Sequence, residues 1–426
     1  MARKVAILPW GNVIEDFLDT IGLSLEGFAT RMSGGWLFGY VAALRAVGID
    51  SCIVCVSDAE REMRRIVHPD TGLVTVVLPV RAGFGIGRAL VGNPDRAPKG
   101  GTAGRVQSLL RYAATPGAAL GRALEAEGCT HLLCQEYENP RFDIASRVAR
   151  RKGLKAFASF QGGVLAETAL ERRLRRGSIR RADGLIVAAG PELERLRRTY
   201  GDDLPAVAQI CNPLDMEEWR PEPRDAARRA LGIPAETFAA ICHCRIDFRR
   251  KGLDVLLEGW RRLAARHPER PLRLTLVGSG ADDAMLEAEI ARQEVPGLVW
   301  DRGYDMDRPA LRRKLSAADV YVLASRHEGF PVAPLEAMAC GLPVVLSSAA
   351  AAADIVPDGA GQGGLAFPTG DVDALVAALE RMMGDAAGRD AMAAAARRRV
   401  AAIASVEAVG RQLDAFLGAA PDAGRR

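Results

Sequence analysis

The chain has 426 residues, of which 49% are hydrophobic and 26% are charged. This composition is globular and excludes a mainly disordered or fibrous protein, and the length suits two or three domains. A formal net charge of +4 is too small to imply a nucleic-acid partner. The stretch 81–182, however, holds 19 basic and 8 acidic residues, so one region carries the basic surplus.

No segment of the sequence predicts export or insertion into a membrane. The apolar stretch 5–10 is too short for a signal peptide, and the uncharged run 337–353 is shorter than a membrane span of roughly 20 residues. Eight cysteines without a regular framework are typical of reduced thiols. Alternation along a predicted strand would point Cys52 and Cys55 to opposite faces. We therefore expect a cytoplasmic protein with buried thiols.

Short β-branched runs alternate with longer segments of helical period along the whole chain. The predicted strands, in chain order, are 5–8, 51–56, 73–80, 131–135, 155–159, 185–187, 238–243, 272–277, 298–301, 320–324 and 344–347. The clearest predicted helices are 35–47, 192–199, 253–266, 281–293 and 308–316. Repeated strand–helix alternation indicates parallel sheets covered by helices. Since one sheet of this many strands would be large, we predict an α/β protein with two doubly wound, Rossmann-like domains.

A Pro-rich stretch after an Asn-Pro turn at 212–213 marks the boundary between the two domains. We expect an N-terminal domain over 1–212 and a C-terminal domain over 213–395. Residues 396–426 would form a helix that packs back towards the N-terminal domain and ends in a frayed tail. The Gly-rich, basic segment 81–122 would be a long loop of the N-terminal domain.

The region after the strand 320–324 combines a helix start with two carboxylates. Pro331 and Pro334 suit the first turn of a helix that Gly341 ends, and such a helix start offers free backbone N–H groups to a phosphate. Glu328 and Glu336 can point into the crevice at the carboxyl ends of the strands. Taken singly, either glutamate is equally compatible with a favourable dipole contact or a solvated helix face.

A second chemical element lies about eighty residues earlier, in the turn after the strand 238–243. It carries Arg245 and Lys251, with Gly252 at the entry of the next helix. A guanidinium and an ammonium group in such a turn suit a pyrophosphate. The next strand leads into Gly278-Ser279-Gly280, which lacks the third glycine of a dinucleotide fingerprint and is weak as a signal for NAD.

Together these residues resemble the donor half of the retaining family 4 glycosyltransferases, the group 1 type with the GT-B fold. The resemblance rests on motifs in a fixed order, which are Arg245 with Lys251-Gly252-Leu253-Asp254, then 276–280, Gly303, 316–320, Glu328-Gly329-Phe330 and 336–345. It implies two Rossmann-like domains that face each other across a deep cleft. The C-terminal domain would hold a nucleotide-diphosphate sugar, and the N-terminal domain would hold a hydroxyl acceptor.

The resemblance also implies roles for individual residues. Arg245 and Lys251 would contact the donor diphosphate and, with Glu328, serve catalysis; Glu328 would bind the hydroxyls of the donor sugar, and Glu336 those of the ribose. The other donor-binding candidates are Gly34, Gly35, Gly278, Gly303, Tyr304, Gly329, Phe330, Pro331 and Val332. Because the protein itself supplies positive charge to the leaving phosphate, no cofactor and no metal ion are expected.

The acceptor side departs from the family pattern. Gln161 stands where many members carry a histidine, and an amide cannot take a proton near neutral pH. Trp10, Glu136 and Glu138 are further acceptor candidates by position alone, with an ordinary polar loop as the alternative. His243 and His327 flank the two turns of the donor half, and each could contact the sugar or be structural.

Two further patterns keep alternatives open. Asp305-Met306-Asp307 has the spacing of metal-dependent sugar transferases, but its place before a helix favours a cap. The basic cluster 171–181 is either a solvated helix face or a surface for anionic lipid, so peripheral association with a membrane stays a hypothesis. The sequence thus predicts a transfer from a UDP- or GDP-sugar to a hydroxyl group. A nucleotide-sugar epimerase and a non-catalytic binder of sugar nucleotides are the alternatives.

Overall fold

The computed structural model describes residues 2–12, 18, 24–30, 32, 35–80, 109–162, 168–303 and 307–419. It has the α/β architecture that the sequence predicts, with two sheets in two compact units. Unit 1 comprises Met1–Cys211 and Val409–Arg426, and unit 2 comprises Asn212–Ala408. The division after 211 lies beside the predicted boundary at 212. The return to unit 1 comes at 409, whereas the sequence placed it at 396.

Unit 1 contains an eight-stranded sheet in the order β3-β4-β2-β1-β5-β6-β7-β8, parallel except for the antiparallel pair of β3 with β4. Its strands are β1 (Lys4–Pro9), β2 (Asp50–Ser57), β3 (Arg64–Val67), β4 (Val74–Pro79), β5 (His131–Gln135), β6 (Lys155–Ser159), β7 (Gly184–Val187) and β8 (Val207–Gln209). Its described helices are α1 (Leu25–Thr30), α2 (Trp36–Ala46), α3 (Gly117–Ala126), α4 (Pro140–Arg151), α5 (Ala169–Arg180) and α6 (Gly190–Tyr200).

Each face of this sheet has its own apolar core. Cys55 belongs to one core and Cys52 to the other, so the prediction that these thiols point to opposite faces is confirmed. The first core is completed by three fully buried residues near the end of the described chain, Val409, Leu413 and Leu417. Residues distant in sequence therefore build one hydrophobic layer.

Unit 2 contains a six-stranded parallel sheet in the order β11-β10-β9-β12-β13-β14. Its strands are β9 (Phe238–His243), β10 (Leu272–Val277), β11 (Leu298–Asp301), β12 (Val320–Leu323), β13 (Val344–Ser347) and β14 (Gly364–Phe367). Its helices are α7 (Arg224–Ala230), α8 (Leu253–Arg266), α9 (Asp283–Gln293), α10 (Arg308–Ala317), α11 (Ala333–Ala339), α12 (Ala352–Ile355), α13 (Val372–Gly384) and α14 (Ala386–Ala404). A last helix, α15 (Val406–Ala419), begins in unit 2 and continues into unit 1.

The strand order of unit 2 places a topological switch point between β9 and β12. From β9 the chain first adds strands on one side of the sheet and then returns to add β12, β13 and β14 on the other. The turns after β9 and β12 therefore leave the sheet in opposite directions, which opens a crevice at their carboxyl ends. This is the place where both predicted donor-binding turns lie.

Candidate functional site

The turns that follow β9 and β12 are fastened to each other by backbone and side-chain contacts. The Arg326 amide donates to the Arg250 carbonyl at 2.8 Å, and the Arg326 guanidinium forms a fork with both Asp254 oxygens at 2.6 and 2.8 Å. Gly252 has a φ of 62°, and a Cβ at this position would lie 2.0 Å from the Ala324 carbonyl oxygen. Only glycine permits this approach of the two turns.

Lys251 and Glu328 meet in an ion pair in the middle of this arrangement. Lys251 Nζ lies 2.6 Å from Glu328 Oε1, and the Ser325 hydroxyl donates to the same oxygen at 2.7 Å. The side chains are 15% and 6% exposed, respectively. Resemblance assigned these residues to different parts of a donor, and the structure places them side by side. A largely buried, charge-assisted contact of this kind fixes the position of both groups.

Arg245 occupies the exposed part of the turn after β9. Within the described ranges, its side chain makes no hydrogen bond and no ion pair, in contrast to Lys251. The guanidinium therefore keeps its donors available for an anion, and its geometry suits a phosphate fork.

Glu336 lies in the first turn of α11 and is paired with a residue of the neighbouring strand. The His243 Nε2 lies 2.8 Å from Glu336 Oε2, and the two side chains are 10% and 18% exposed. The Tyr321 ring packs edge-on against the His243 ring, while the Tyr321 hydroxyl donates to the His243 carbonyl at 3.1 Å. Sequence reasoning left His243 open between two roles, and the structure shows it holding the carboxylate.

The loop 324–332 leads from β12 into α11 on the same edge of the sheet. Pro331 is buried, whereas Gly329, Phe330 and Val332 are half-buried. Val332 caps the helix and its carbonyl accepts from the Glu336 amide at 3.0 Å. Backbone amides of this loop thus lie in the neighbourhood of Glu328 and Glu336.

Gly278 and Gly280 have a packing role that accounts for both glycines. A Cβ on Gly278 would lie 2.0 Å from the Cys244 carbonyl oxygen, and one on Gly280 would lie 2.1 Å from that of Ile246. The two loops are also bonded, since the Cys244 amide donates to the Val277 carbonyl at 3.0 Å. The glycines let the loop after β10 support the turn that carries Arg245. Gly303 follows β11 with a φ of 145°, and Tyr304 lies outside the described residues.

The acceptor candidates of unit 1 lie in a dense polar cluster at the carboxyl ends of β5 and β6. The Glu136 carboxylate accepts from the amides of Glu138 and Gln161 at 2.9 and 3.0 Å. The Gln161 side chain donates to Gln135 and Ser159, both at 3.1 Å. Trp10, directly after β1, is half-buried. Gly35 precedes α2 with a φ of 92°, whereas Gly34 lies outside the described residues.

Glu138 belongs to a buried ionic network that sequence reasoning missed. Its carboxylate lies 2.9 Å from Arg175 Nη1 and 2.6 Å from Arg195 Nη2, and Arg175 also forks onto Asp143 at 3.0 and 3.1 Å. The Arg175 side chain is 1% exposed. Neither alternative for the basic cluster 171–181, a solvated helix face or a surface for anionic lipid, describes buried Arg175. One local signal could have been found in the sequence, since the Thr168–Glu171 capping box marks the start of α5.

The structure shows the role of one of the two aspartates in the motif at 305–307. Asp307 caps α10 by accepting from the Ala310 amide at 3.0 Å, as the sequence predicted, while Asp305 lies outside the described residues. Across the described ranges, no group of three or more His, Cys, Asp and Glu side chains could hold a metal ion. In the same ranges, no helix is both long and apolar enough to cross a membrane.

The sequence and the fold match known glycosyltransferases. Residues 237–385 match the family model "Glycosyl transferases group 1". The chain is 32% identical to D-inositol 3-phosphate glycosyltransferase of Kribbella flavida over 222 residues, covering 50% of this chain and 51% of that one. It is 30% identical to a GDP-mannose-dependent monoacylated alpha-(1-6)-phosphatidylinositol monomannoside mannosyltransferase of Corynebacterium glutamicum over 241 residues, covering 54% and 60%. The chain thus spans between half and three fifths of these relatives' length.

Solved structures extend the likeness over both units. Sucrose-phosphate synthase from Thermosynechococcus elongatus aligns with a TM-score of 0.71 at 19% identity, covering 98% of each chain. Anabaena Alr3699/HepE in complex with UDP aligns with a TM-score of 0.69 at 14% identity, covering 97% of this chain and 99% of that one. Residues 237–385 are thus similar to the group 1 glycosyltransferases, and over its length the chain has the GT-B fold of two Rossmann-like domains.

Proposed function

We propose that the protein is a retaining, family 4-like hexosyltransferase that moves a sugar from a nucleotide diphosphate to a hydroxyl acceptor, in the synthesis of a glycolipid, polysaccharide or glycoside. One observation carries the proposal. Cationic Lys251 and the two glutamates converge at the switch point of unit 2, where Lys251 pairs with Glu328 and His243 holds Glu336. Open α/β sheets bind nucleotides at this position.

In the proposed reaction the bond between the sugar C1 and the diphosphate oxygen breaks, and its electron pair stays on the phosphate. The acceptor oxygen forms the new bond to C1, and its proton passes to the leaving phosphate. Arg245 and Lys251 would stabilise the negative charge that develops there. Glu328, held by Lys251 and Ser325, would bind the sugar hydroxyls, and Glu336 the ribose hydroxyls.

Departure and attack on the same face of the sugar would retain the configuration without a side-chain nucleophile. A glycosidase-like double displacement would need a second carboxylate beside the first, and here Glu336 is committed to His243. The Gln161 amide, bonded to Gln135 and Ser159, would position an acceptor hydroxyl but not remove its proton. No metal ion and no cofactor enter the proposed reaction.

A binding and turnover experiment tests the donor site. UDP, GDP and ADP are compared by thermal shift, since a compound that binds only the folded state raises the melting temperature. The matching nucleotide sugar is then followed for hydrolysis, isomerisation and transfer. In Lys251→Gln we expect turnover to fall on the order of 10²–10³-fold with the fold intact.

Exposed Arg381→Gln, on α13 of the same unit, is the matched control and should keep the rate of the unaltered protein. Wild-type turnover in both Lys251→Gln and Arg245→Ala would contradict the diphosphate role. Isomerisation of the donor without an acceptor would identify an epimerase, and binding without any turnover would identify a non-catalytic binder.

We further propose that unit 1 associates peripherally with anionic membrane through a basic surface on α4 and α5. Arg150, Arg172, Arg173 and Arg180 are exposed there. The pKa of Arg181 is lowered by burial and by repulsion from Arg147, Arg150 and Arg180. Crowded like charges of this kind gain from an anionic partner, with about 1 kcal/mol for each basic residue near a lipid surface.

Co-sedimentation with vesicles tests this surface. We expect the protein to bind vesicles with 30% phosphatidylserine at low salt and to leave vesicles of phosphatidylcholine alone. Arg150→Gln with Arg180→Gln should weaken the binding severalfold, whereas Arg381→Gln should not. Equal recovery with both kinds of vesicle would remove the membrane proposal and leave the donor site untouched.

A further inference from the structure

Unit 2 contains a second cavity that the proposed reaction does not use. It has a volume of about 620 Å³ and lies beside the amino ends of β12 and β13, because Asp319 and Pro343, which directly precede these strands, line it. The candidate donor site lies at the carboxyl ends of the same sheet. The two sites lie at opposite ends of β12 and β13, and each of these strands has four residues. Four residues of strand rise about 13 Å, so the two sites are separated by at least the length of a strand. We call this cavity the amino-edge pocket.

The lining of the amino-edge pocket combines apolar residues with cationic ones. Leu342, Pro343 and alanines of α14 form the apolar wall. Four arginines line the remainder, and these are Arg224, Arg389, Arg397 and Arg398. A volume in this range suits a small-molecule ligand with an apolar body and one charged group.

The carboxylates in the amino-edge pocket are mostly compensated by arginines. Asp319 is paired with Arg224 and, at 2.8 Å, with Arg228, and it also accepts from the Ala239 amide at 2.8 Å. Glu222 lies 2.9 Å from Arg312 and 3.6 Å from Arg313. Only the third lining carboxylate, Asp390, is exposed. Four lining arginines thus face three lining carboxylates, and the lining of the pocket carries a net charge of +1.

Two of the lining guanidinium groups are anchored by backbone carbonyls, and one of them, Arg389, also lies 3.8 Å from Asp319. Arg397 donates to the Ala339 carbonyl, and Arg389 donates to the carbonyls of Met382 and Met383. A backbone carbonyl orients a guanidinium but does not neutralise it, and four of the five N–H groups of Arg397 remain for other acceptors. Arg398 is exposed, and its side chain has no polar partner in the part of the chain that the structure describes. Arg397 and Arg398 therefore keep donors available for an anion, and Arg397 is held in place by its contact with the Ala339 carbonyl.

We propose that the amino-edge pocket binds a phosphate group, borne by a small phosphomonoester or present as free phosphate. Arginine forks match the tetrahedral oxygens of phosphate better than single ammonium groups do. The apolar wall of Leu342, Pro343 and α14 would cover the body of an ester. The site is distinct from the donor site and requires no glycosyl transfer.

Calorimetric titration of the full chain tests the proposal, with inorganic phosphate, glucose 6-phosphate and glucose as probes. The titrations use the Lys251→Gln background so that phosphate binding at the donor site is weakened. We expect phosphate and glucose 6-phosphate to bind and glucose not to bind. Tighter binding of glucose 6-phosphate than of phosphate would identify a phosphomonoester site, and equal affinity would identify a site for free phosphate.

Two variants connect this binding to the amino-edge pocket. Ala394→Glu places a carboxylate in the pocket at an exposed helical position, and Arg398→Gln removes one cation; each should raise the Kd at least tenfold. Ala387→Glu, on an exposed position of α14 outside the pocket, is the matched control and should bind like the background protein. Absence of phosphate binding below about 10 mM, or equal Kd values for Ala394→Glu and Ala387→Glu, would overturn the proposal.

Discussion

The pair of His243 and Glu336 shows how one side chain prepares another for binding. The His243 ring is packed against Tyr321 and its Nε2 reaches the carboxylate at 2.8 Å, while its Nδ1 is buried without a hydrogen-bond partner in the described chain. We interpret His243 as a positioning residue, since it reaches a ribose only through Glu336. Full burial raises the pKa of Tyr321, which keeps its hydroxyl neutral as a donor to the histidine carbonyl.

We predict that Glu336→Ala weakens nucleotide binding by roughly 1.5–3 kcal/mol because charge-assisted hydrogen bonds are lost. His243→Phe keeps the aromatic packing and removes the bond to Glu336, and should cost about 1 kcal/mol of affinity with little change of turnover at saturating donor. His243→Gln should restore part of it. Calorimetry with the preferred nucleotide measures both effects.

A double-mutant cycle separates positioning from mere packing. If His243 acts through Glu336, His243→Phe should have no further effect on affinity in a Glu336→Ala protein. Fully additive losses would instead show that the histidine contributes independently of the glutamate.

At the scale of elements, the two turns at the switch point depend on glycines for their mutual approach. Gly252 and Gly232 share a φ of 62–63°, but only Gly252 has a backbone oxygen in the space of a side chain. Gly232→Ala therefore meets only the backbone penalty of about 1–2 kcal/mol. Gly252→Ala adds a clash with the carbonyl of Ala324, and the two turns must separate.

We predict that Gly252→Ala lowers the free energy of unfolding of unit 2 by more than Gly232→Ala does, and that it alone weakens nucleotide binding at least tenfold. Urea unfolding and calorimetry on the two variants provide the comparison. Equal losses of stability with unchanged nucleotide affinity would show that the approach of the turns is not required.

The sequence predicted elements better than it predicted contacts. All eleven predicted strands are present, because apolar runs bounded by turns mark buried parallel strands. Three strands were missed. β3, with the sequence Arg-Arg-Ile-Val, is largely exposed, β8 has three residues, and the mostly buried β14 has four residues and begins with a glycine. Over the described residues, the predicted C-terminal helix 396–426 corresponds to the end of α14 and the whole of α15, which divide at Ser405.

For residues far apart in sequence, the strand order predicted which edge of the sheet they share, but it did not predict which side chains contact each other. Lys251 and Glu328 are 77 residues apart, and His243 and Glu336 are 93 apart. Strand order puts all four at the carboxyl ends of β9 and β12, yet it does not say which cation meets which acid. For Arg175 the pattern was misleading, since an arginine among arginines is normally solvated and here it neutralises two buried carboxylates.

At the scale of the whole molecule, the two units have separate cores and separate chemistry. Unit 1 holds the buried network and the basic surface, and unit 2 holds the amino-edge pocket and all donor candidates except Gly34 and Gly35. The stability of unit 1 depends on pH through His131 of β5, which is only 6% exposed. Burial, with repulsion from Lys155 and Arg3, lowers the pKa of His131 to about 4.

Acid should therefore destabilise unit 1 through this histidine. Between pH 6.5 and 4 the unfolded chain binds a proton that the folded state does not, so stability falls as the pH falls. From pH 7 to 4.5 we expect a loss of about 2–3 kcal/mol from this group. His131→Phe keeps the stacking on Phe157 and removes the titrating group. In urea unfolding, its loss of stability from pH 7 to 4.5 should be smaller than that of the unaltered protein by this amount. Parallel pH profiles for the two proteins would contradict the assignment.

The passage of α15 from unit 2 into unit 1 has a consequence for synthesis. Val409, Leu413 and Leu417 complete a core whose other members come from the first 210 residues, and Gly410 packs closely on the Ala43 carbonyl. A nascent chain emerging from the ribosome therefore presents an unfinished hydrophobic layer until its last described helix has been translated. The middle of the polypeptide, residues 212–408, can mature first, and the amino-terminal unit must wait for the far end of the chain to close it.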